Sequence, residues 1–184
     1  METIKLFVIL MIGSLVFISC EKDDPEIPNE EELITTVTYT LTPTSGGSAV
    51  QLVYKDLDGD GGSAPVITTG ILQSGTTYSG TLELLNETET PAGNLTEEIE
   101  EEGDEHQFFF SSTTNITVAY NDGDANGKPV GLETLLTTGD AGMGKLKVVL
   151  RHQPDKNASG VSEGNISNAG GETDIEIEFD VTIQ

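Results

Sequence analysis

The chain has 184 residues, 32 acids against 8 bases, and a formal net charge of -24. Phosphates would be repelled by that excess, which argues against nucleic acid as a partner and leaves basic proteins and divalent cations as the charged species it would attract. A single cysteine rules out an intrachain disulfide, so stability has to come from core packing, with or without bound metal.

The first segment is a leader. LFVILMIGSLVFI, from Leu6 to Ile18, is an apolar run broken by one Gly and one Ser, preceded by Lys5. At about 13 residues it falls short of the ~20 needed to span a bilayer and has signal-peptide dimensions. It ends in Ser19-Cys20, and a small residue before Cys after such a run resembles a bacterial lipobox. Residues 1–19 therefore read as a lipoprotein signal peptide, and Cys20 as the acylated mature N-terminus that ties the protein to a membrane. Residues 20–32, CEKDDPEIPNEEE, carry two prolines, many carboxylates and no apolar period, and read as an acidic flexible tether. Lys22-Asp23-Asp24 resembles the surface-export signal of Bacteroidota lipoproteins, with a generic solvated spacer as the alternative.

Residues 33–184 suit one domain with a period of two. In DIEIEFDVTI, Ile175, Ile177, Phe179, Val181 and Ile183 share one face, and Asp174, Glu176, Glu178, Asp180 and Thr182 the other. That pattern is a strand with one dry side and one wet side. TTVTYTLT repeats it with Val37, Tyr39 and Leu41, and AVQLVYK, TLELLN, NITVAY and KLKVVLRH are further strand candidates between Gly, Asn, Asp and Ser clusters. The one helix candidate is Asn94–His106, with Asn94 as cap and glutamates in the first turns. LQSGTTYSGTL spaces Leu72, Thr76, Tyr78 and Leu82 in a way that resembles the tyrosine corner of fibronectin type III domains, which implies a buried Tyr78 bonded back to the preceding turn. The expected fold is all-β: an immunoglobulin/fibronectin-III-like antiparallel β-sandwich with one short acidic helix or loop insertion.

Two clusters could carry chemistry. YNDGDANGKPVGLE, Tyr120–Glu133, matches the calcium-loop spacing D-x-[DN]-x-[DN]-G-x5-E with Asp122, Asp124, Asn126, Gly127 and Glu133. Strand flanks and Pro129 at the eighth position exclude an EF-hand, but side-chain oxygens at alternate positions can still wrap calcium. Asp, Asn and Gly are also favoured turn residues, so a plain strand connection stays open. YKDLDGDG, Tyr54–Gly61, echoes this loop without a carboxylate at the twelfth place, and the echo raises the option of two similar halves. The second cluster is His106, with Glu98 and Glu102 at i−8 and i−4, and His152 at the end of an apolar strand face. On a continuous helix Glu102 and His106 would share a face and could take zinc or copper, jointly with His152. The alternative is an exposed His in a charged run and a strand-end His over the core. No nucleophile elbow, P-loop or dinucleotide fingerprint is present, and carboxylates are too numerous to single out an acid/base pair, so the expectation is a protein that is not an enzyme.

The leader, FISC, EKDD and the segments Leu84–Phe110 and Leu150–Ile183 together resemble a family of small Bacteroidota lipoproteins often labelled type 1 periplasmic-binding-fold proteins. Such binding proteins are two-lobed α/β structures, and this chain is too short and too β-rich for that label. Some relatives are similar to accessory lipoproteins beside TonB-dependent outer-membrane receptors. The resemblance implies a lipid-anchored outer-membrane or cell-surface binding or accessory module, with an envelope protein or such a receptor as partner. A metal-handling lipoprotein using the acidic segment and both histidines is the alternative. No cofactor is certain; calcium is the candidate.

Overall fold

Alternating side chains dictate the architecture, because each strand has one face that must leave water. The structure is a computed structural model that describes residues 33–59 and 62–184. Residues 1–32, on which the expected signal peptide, the expected acylated Cys20 and the expected tether fall, and the pair Asp60-Gly61 lie outside the described residues. In chain order the strands are β1 (Thr36–Pro43), β2 (Val50–Lys55), β3 (Val66–Thr68), β4 (Ile71–Leu72), β5 (Thr77–Asn86), β6 (Gly93–Asn94), β7 (His106–Ser112), β8 (Ile116–Tyr120), β9 (Glu133–Thr138), β10 (Gly142–His152) and β11 (Glu172–Ile183). An α-helix, α1 (Leu95–Glu101), lies between β6 and β7, and a single 3-10 turn, Ile166–Asn168, between β10 and β11.

The strands form two sheets. The larger runs β3-β2-β1-β5-β9-β8, with β6 added on β5; the smaller runs β4-β11-β10-β7. Their inner faces meet in one core that includes Val37, Tyr39, Leu41, Leu82 and Leu84 from the large sheet and Leu146, Val148, Leu150, Ile177, Phe179, Val181 and Ile183 from the small one. Of the five β11 residues expected inward, four are buried and Ile175 is half-buried against the core. The fold is the expected sandwich. One pair departs from antiparallel order: β4 runs parallel to β11, with Thr182 opposite Ile71 and Ile183 opposite Leu72.

Tyr78 closes one end. It is buried, and its hydroxyl accepts the Gln73 N–H at 2.7 Å. Thr138 braces the same turn, donating to the Gln73 carbonyl at 2.6 Å and accepting the Thr76 N–H at 3.0 Å. The second buried tyrosine, Tyr39, meets Thr134 at 2.6 Å between hydroxyl oxygens, and its burial pushes its pKa up to about 12 against the smaller opposing effect of that bond. Gly80 makes this contact possible, since a Cβ there would lie 2.5 Å from Thr134 Oγ1 and 2.7 Å from the Tyr39 ring.

The loop from 153 to 171 is a strap over the outer face of the small sheet. Val161 and Ala169 cover Phe109 and Val149, making a small second core on the face that period two assigns to water. Gln107 ties the strap down by donating to the Val161 carbonyl at 2.8 Å. The two echoing loops both join antiparallel neighbours within the large sheet, β2 to β3 and β8 to β9. They are connections in one sheet and do not mark two repeated halves.

Two substitutions check this account. Gly80→Ala should lower stability by about 1–3 kcal/mol through overpacking against Tyr39 and Thr134. Tyr78→Phe should cost about 1 kcal/mol by removing the acceptor of the Gln73 N–H. Urea unfolding of both variants measures these costs, and an unchanged midpoint for Gly80→Ala would contradict the packing described.

Candidate functional site

The turn from Glu102 to Glu105 joins α1 to β7, and both sequence-predicted clusters meet it. Asn94 caps the helix as expected, its Oδ1 accepting the Thr96 N–H at 3.2 Å. Leu95 and Ile99 are buried, so the helix is anchored despite its acidic surface. It ends at Glu101, earlier than the expected span to His106, and Glu102 is the C-cap residue. His106 is the first residue of β7, so Glu98, Glu102 and His106 do not share a helical face.

The calcium-like loop is filled from within. Asp122 accepts the N–H of Gly131 at 2.8 Å and of Glu133 at 2.9 Å. Asp124 Oδ1 accepts the N–H of Asn126 at 2.8 Å and of Lys128 at 2.9 Å. Gly127 completes the turn with a φ of 73°, a conformation only glycine adopts freely. The remaining oxygen, Asp124 Oδ2, lies 3.1 Å from the Lys156 ammonium, and both side chains are buried, at 2% and 5% exposure. Lys156 Nζ also donates to the Pro129 carbonyl at 2.9 Å and to the Gly103 carbonyl. Thus a lysine of the strap supplies the positive charge on which a carboxylate and two carbonyls converge. Burial alone would raise the Asp124 pKa; the Lys128 N–H, the Lys156 ammonium and the Asn126 N–H outweigh it and hold it below the usual carboxylate value. Burial pulls Lys156 below its ordinary value, with Asp124 opposing. An open polar cavity of about 510 Å³ adjoins this pair, lined by Asp104, Asn126, Lys128 and Asp155 among others.

The two histidines are brought together. His106 and His152 are opposed across β7 and β10, with rings stacked at 4.8 Å between centroids and 8° between planes. Both are buried. His106 Nδ1 lies 3.1 Å from the Glu102 carbonyl, its Nε2 4.0 Å from Asp174 Oδ2, and His152 Nε2 3.6 Å from Glu105. Glu102 meets His106 through its backbone carbonyl. Among the described residues no three His, Cys, Asp or Glu side chains form a metal-holding group. Burial holds His106 below its ordinary 6.5, and neighbouring His152 adds to that, against the Glu102 carbonyl and the charges of Glu102 and Glu105. The stacked pair closes the end of the β7–β10 ladder.

Lys156 is the functional residue missed in the sequence. Its signal was indirect: a cation in the stretch PDKNASG of a chain with 32 acids is under pressure to serve a carboxylate. Compared with family models, curated proteins and solved structures, the chain matches none. The class is therefore defined by the fold and the site alone: an acidic β-sandwich with a strap stapled by a buried lysine.

Removing one partner of a buried pair leaves an unpaired charge, so Lys156→Met should cost about 3–5 kcal/mol, and adding Asp124→Asn, which removes the stranded charge but keeps an oxygen for the Asn126 and Lys128 N–H groups, should recover part of the loss. Because the unfolded chain takes up the His106 proton more readily than the folded one, His106 contributes stability that is complete above 6.5 and is lost as pH falls from there toward its depressed value. Urea midpoints measured on either side of that value should fall in acid, and His106→Gln should flatten the difference. With the ammonium in place, millimolar calcium and magnesium should raise the melting temperature equally. A larger rise for calcium that disappears in Glu133→Ala would establish metal binding by the loop.

Proposed function

We propose that the protein is a lipid-anchored module of the bacterial outer membrane or cell surface that works by binding, as an accessory to an envelope protein such as a TonB-dependent receptor. The observation that carries the anchor is Cys20, the sole cysteine, directly after an apolar run of signal-peptide length and directly before an acidic tether. Several acyl chains on such a cysteine hold firmly where one is marginal.

Two features support binding over catalysis. Asp122, Asp124 and the two histidines are engaged with backbone groups, with Lys156 and with one another, so among the described residues these four converge on no open reacting centre. Residues 62–82 contain no charged side chain in a chain of net charge -24. Within that stretch Val66, Ile67 and Ile71 are exposed. Depletion of charge with apolar side chains in the open is the composition of an interface core.

Cys20→Ser should move the full chain from the membrane fraction to the soluble fraction. Equal fractionation of wild type and variant would overturn the anchor. Ile67→Asp combined with Ile71→Asp should leave the unfolding midpoint nearly unchanged, since neither side chain is in the core, which makes that variant the control for any partner assay.

A further inference from the structure

We propose that Lys156 and Asp124 form an intramolecular cross-linking site, where the lysine amine and the aspartate carboxyl condense to an amide joining the strap to the β8–β9 connection. The two side chains are buried together, with Nζ 3.1 Å from Oδ2. Reacting groups held at that separation in one orientation are spared the entropy of finding each other.

The surroundings match the requirements of acyl transfer. Two backbone N–H groups, of Asn126 and Lys128, already donate to Asp124 Oδ1 at 2.8 and 2.9 Å. They would stabilise the negative charge that develops on Oδ1 when Cγ is attacked, which is the role of an oxyanion hole. The carbonyls of Gly103 and Pro129 hold two of the three Nζ–H bonds. The third faces Oδ2, so the lone pair left after its transfer faces the carboxyl group. Burial pulls Lys156 below its ordinary value and so favours release of that proton, while the N–H groups and the ammonium that hold Asp124 low oppose its uptake, which makes this transfer the uphill step.

The step balances within the pair. The ammonium passes one proton to Oδ2, giving an amine and a carboxylic acid. Nζ attacks Cγ and forms the C–N bond, and the Cγ–Oδ2 bond breaks. A second Nζ proton joins the departing hydroxyl, so one water leaves with both protons drawn from Nζ. The amide keeps one N–H for a carbonyl of Gly103 or Pro129. The water leaves through the adjoining cavity lined by Asp104. No oxidant, reductant or co-reactant is required, and net charge is unchanged.

The product would serve a chain with one cysteine. A bond between residues 32 apart closes a loop in the unfolded state as a disulfide would, but resists reduction. It would fix the strap over Phe109 and Val149.

The test is tryptic mapping by mass spectrometry on the folded full chain, with folding checked by circular dichroism. The expected result is no cleavage after Lys156 and a branched peptide joining the segments around Asp124 and Lys156, one water lighter than their sum. Asp124→Ala should return linear peptides of full mass. Lys156→Arg, which keeps the cation but removes the amine, should do the same while retaining the fold. Cleavage after Lys156 and linear peptides of full mass from folded wild-type protein would overturn the proposal and leave an ion pair alone.

Discussion

A chain with four acids for every base cannot spread its cations evenly, and where they go sets the structure. Lys145 meets Glu178 and Asp180, and Lys147 meets Glu176, all across the β10–β11 ladder. Lys55 reaches from β2 to Glu87, just beyond β5. These pairs are exposed and each contributes little by itself, but they relieve like-charge repulsion along rows of carboxylates. Lys156 differs in kind. It is buried and holds three oxygens, one from the α1–β7 turn and two from the β8–β9 connection, so these two segments and the strap share one fastening.

From that fastening the two sequence-predicted clusters become one region. The Gly103 carbonyl goes to Lys156 and the Glu102 carbonyl to His106, so adjacent residues of one turn serve the lysine and the histidine stack. Gly103 permits this closeness: a Cβ there would sit 3.0 Å from Val130 and 3.2 Å from the Glu100 carbonyl. Gln153 extends the tie, its N–H donating to the Glu105 carbonyl at 2.6 Å. Asp122, Asp124 and both histidines, which looked like candidate ligands for external ions, thus have partners inside the protein.

Much of the sandwich was legible because it follows from local rules. The alternation in β11 identified its dry face, the Asn94 cap was readable from one side chain before a helical run, and the spacing around Tyr78 marked the corner. What escaped needed distant information. Helix propensity favours the glutamates beyond Glu101 and cannot register that Gly103 and His106 are claimed by Lys156 and by β10. Period two puts Val149 on the face opposite Val148 and Leu150 and gives no sign of the strap that covers it, which starts after His152. The run Val148-Val149-Leu150 carried a hint, since consecutive apolar residues imply that both faces are covered. The loop Asp122–Glu133 was legible as a place of convergent carboxylates, but not as one already supplied with a cation, because Lys156 is remote in sequence.

The strap also divides the chain by how freely it can change. β10 and β11 stay in register from Gly142 opposite Ile183 to Leu150 opposite Ile175, shifting only between Leu150 and Arg151 near the strap. The ladder therefore does not depend on the length of what joins its strands, and lengthening a connection costs only logarithmically. Mutational drift is cheap there wherever Lys156, Val161 and Ala169 are kept. A lineage could lengthen, shorten or re-decorate this one segment while the sandwich beneath is inherited intact.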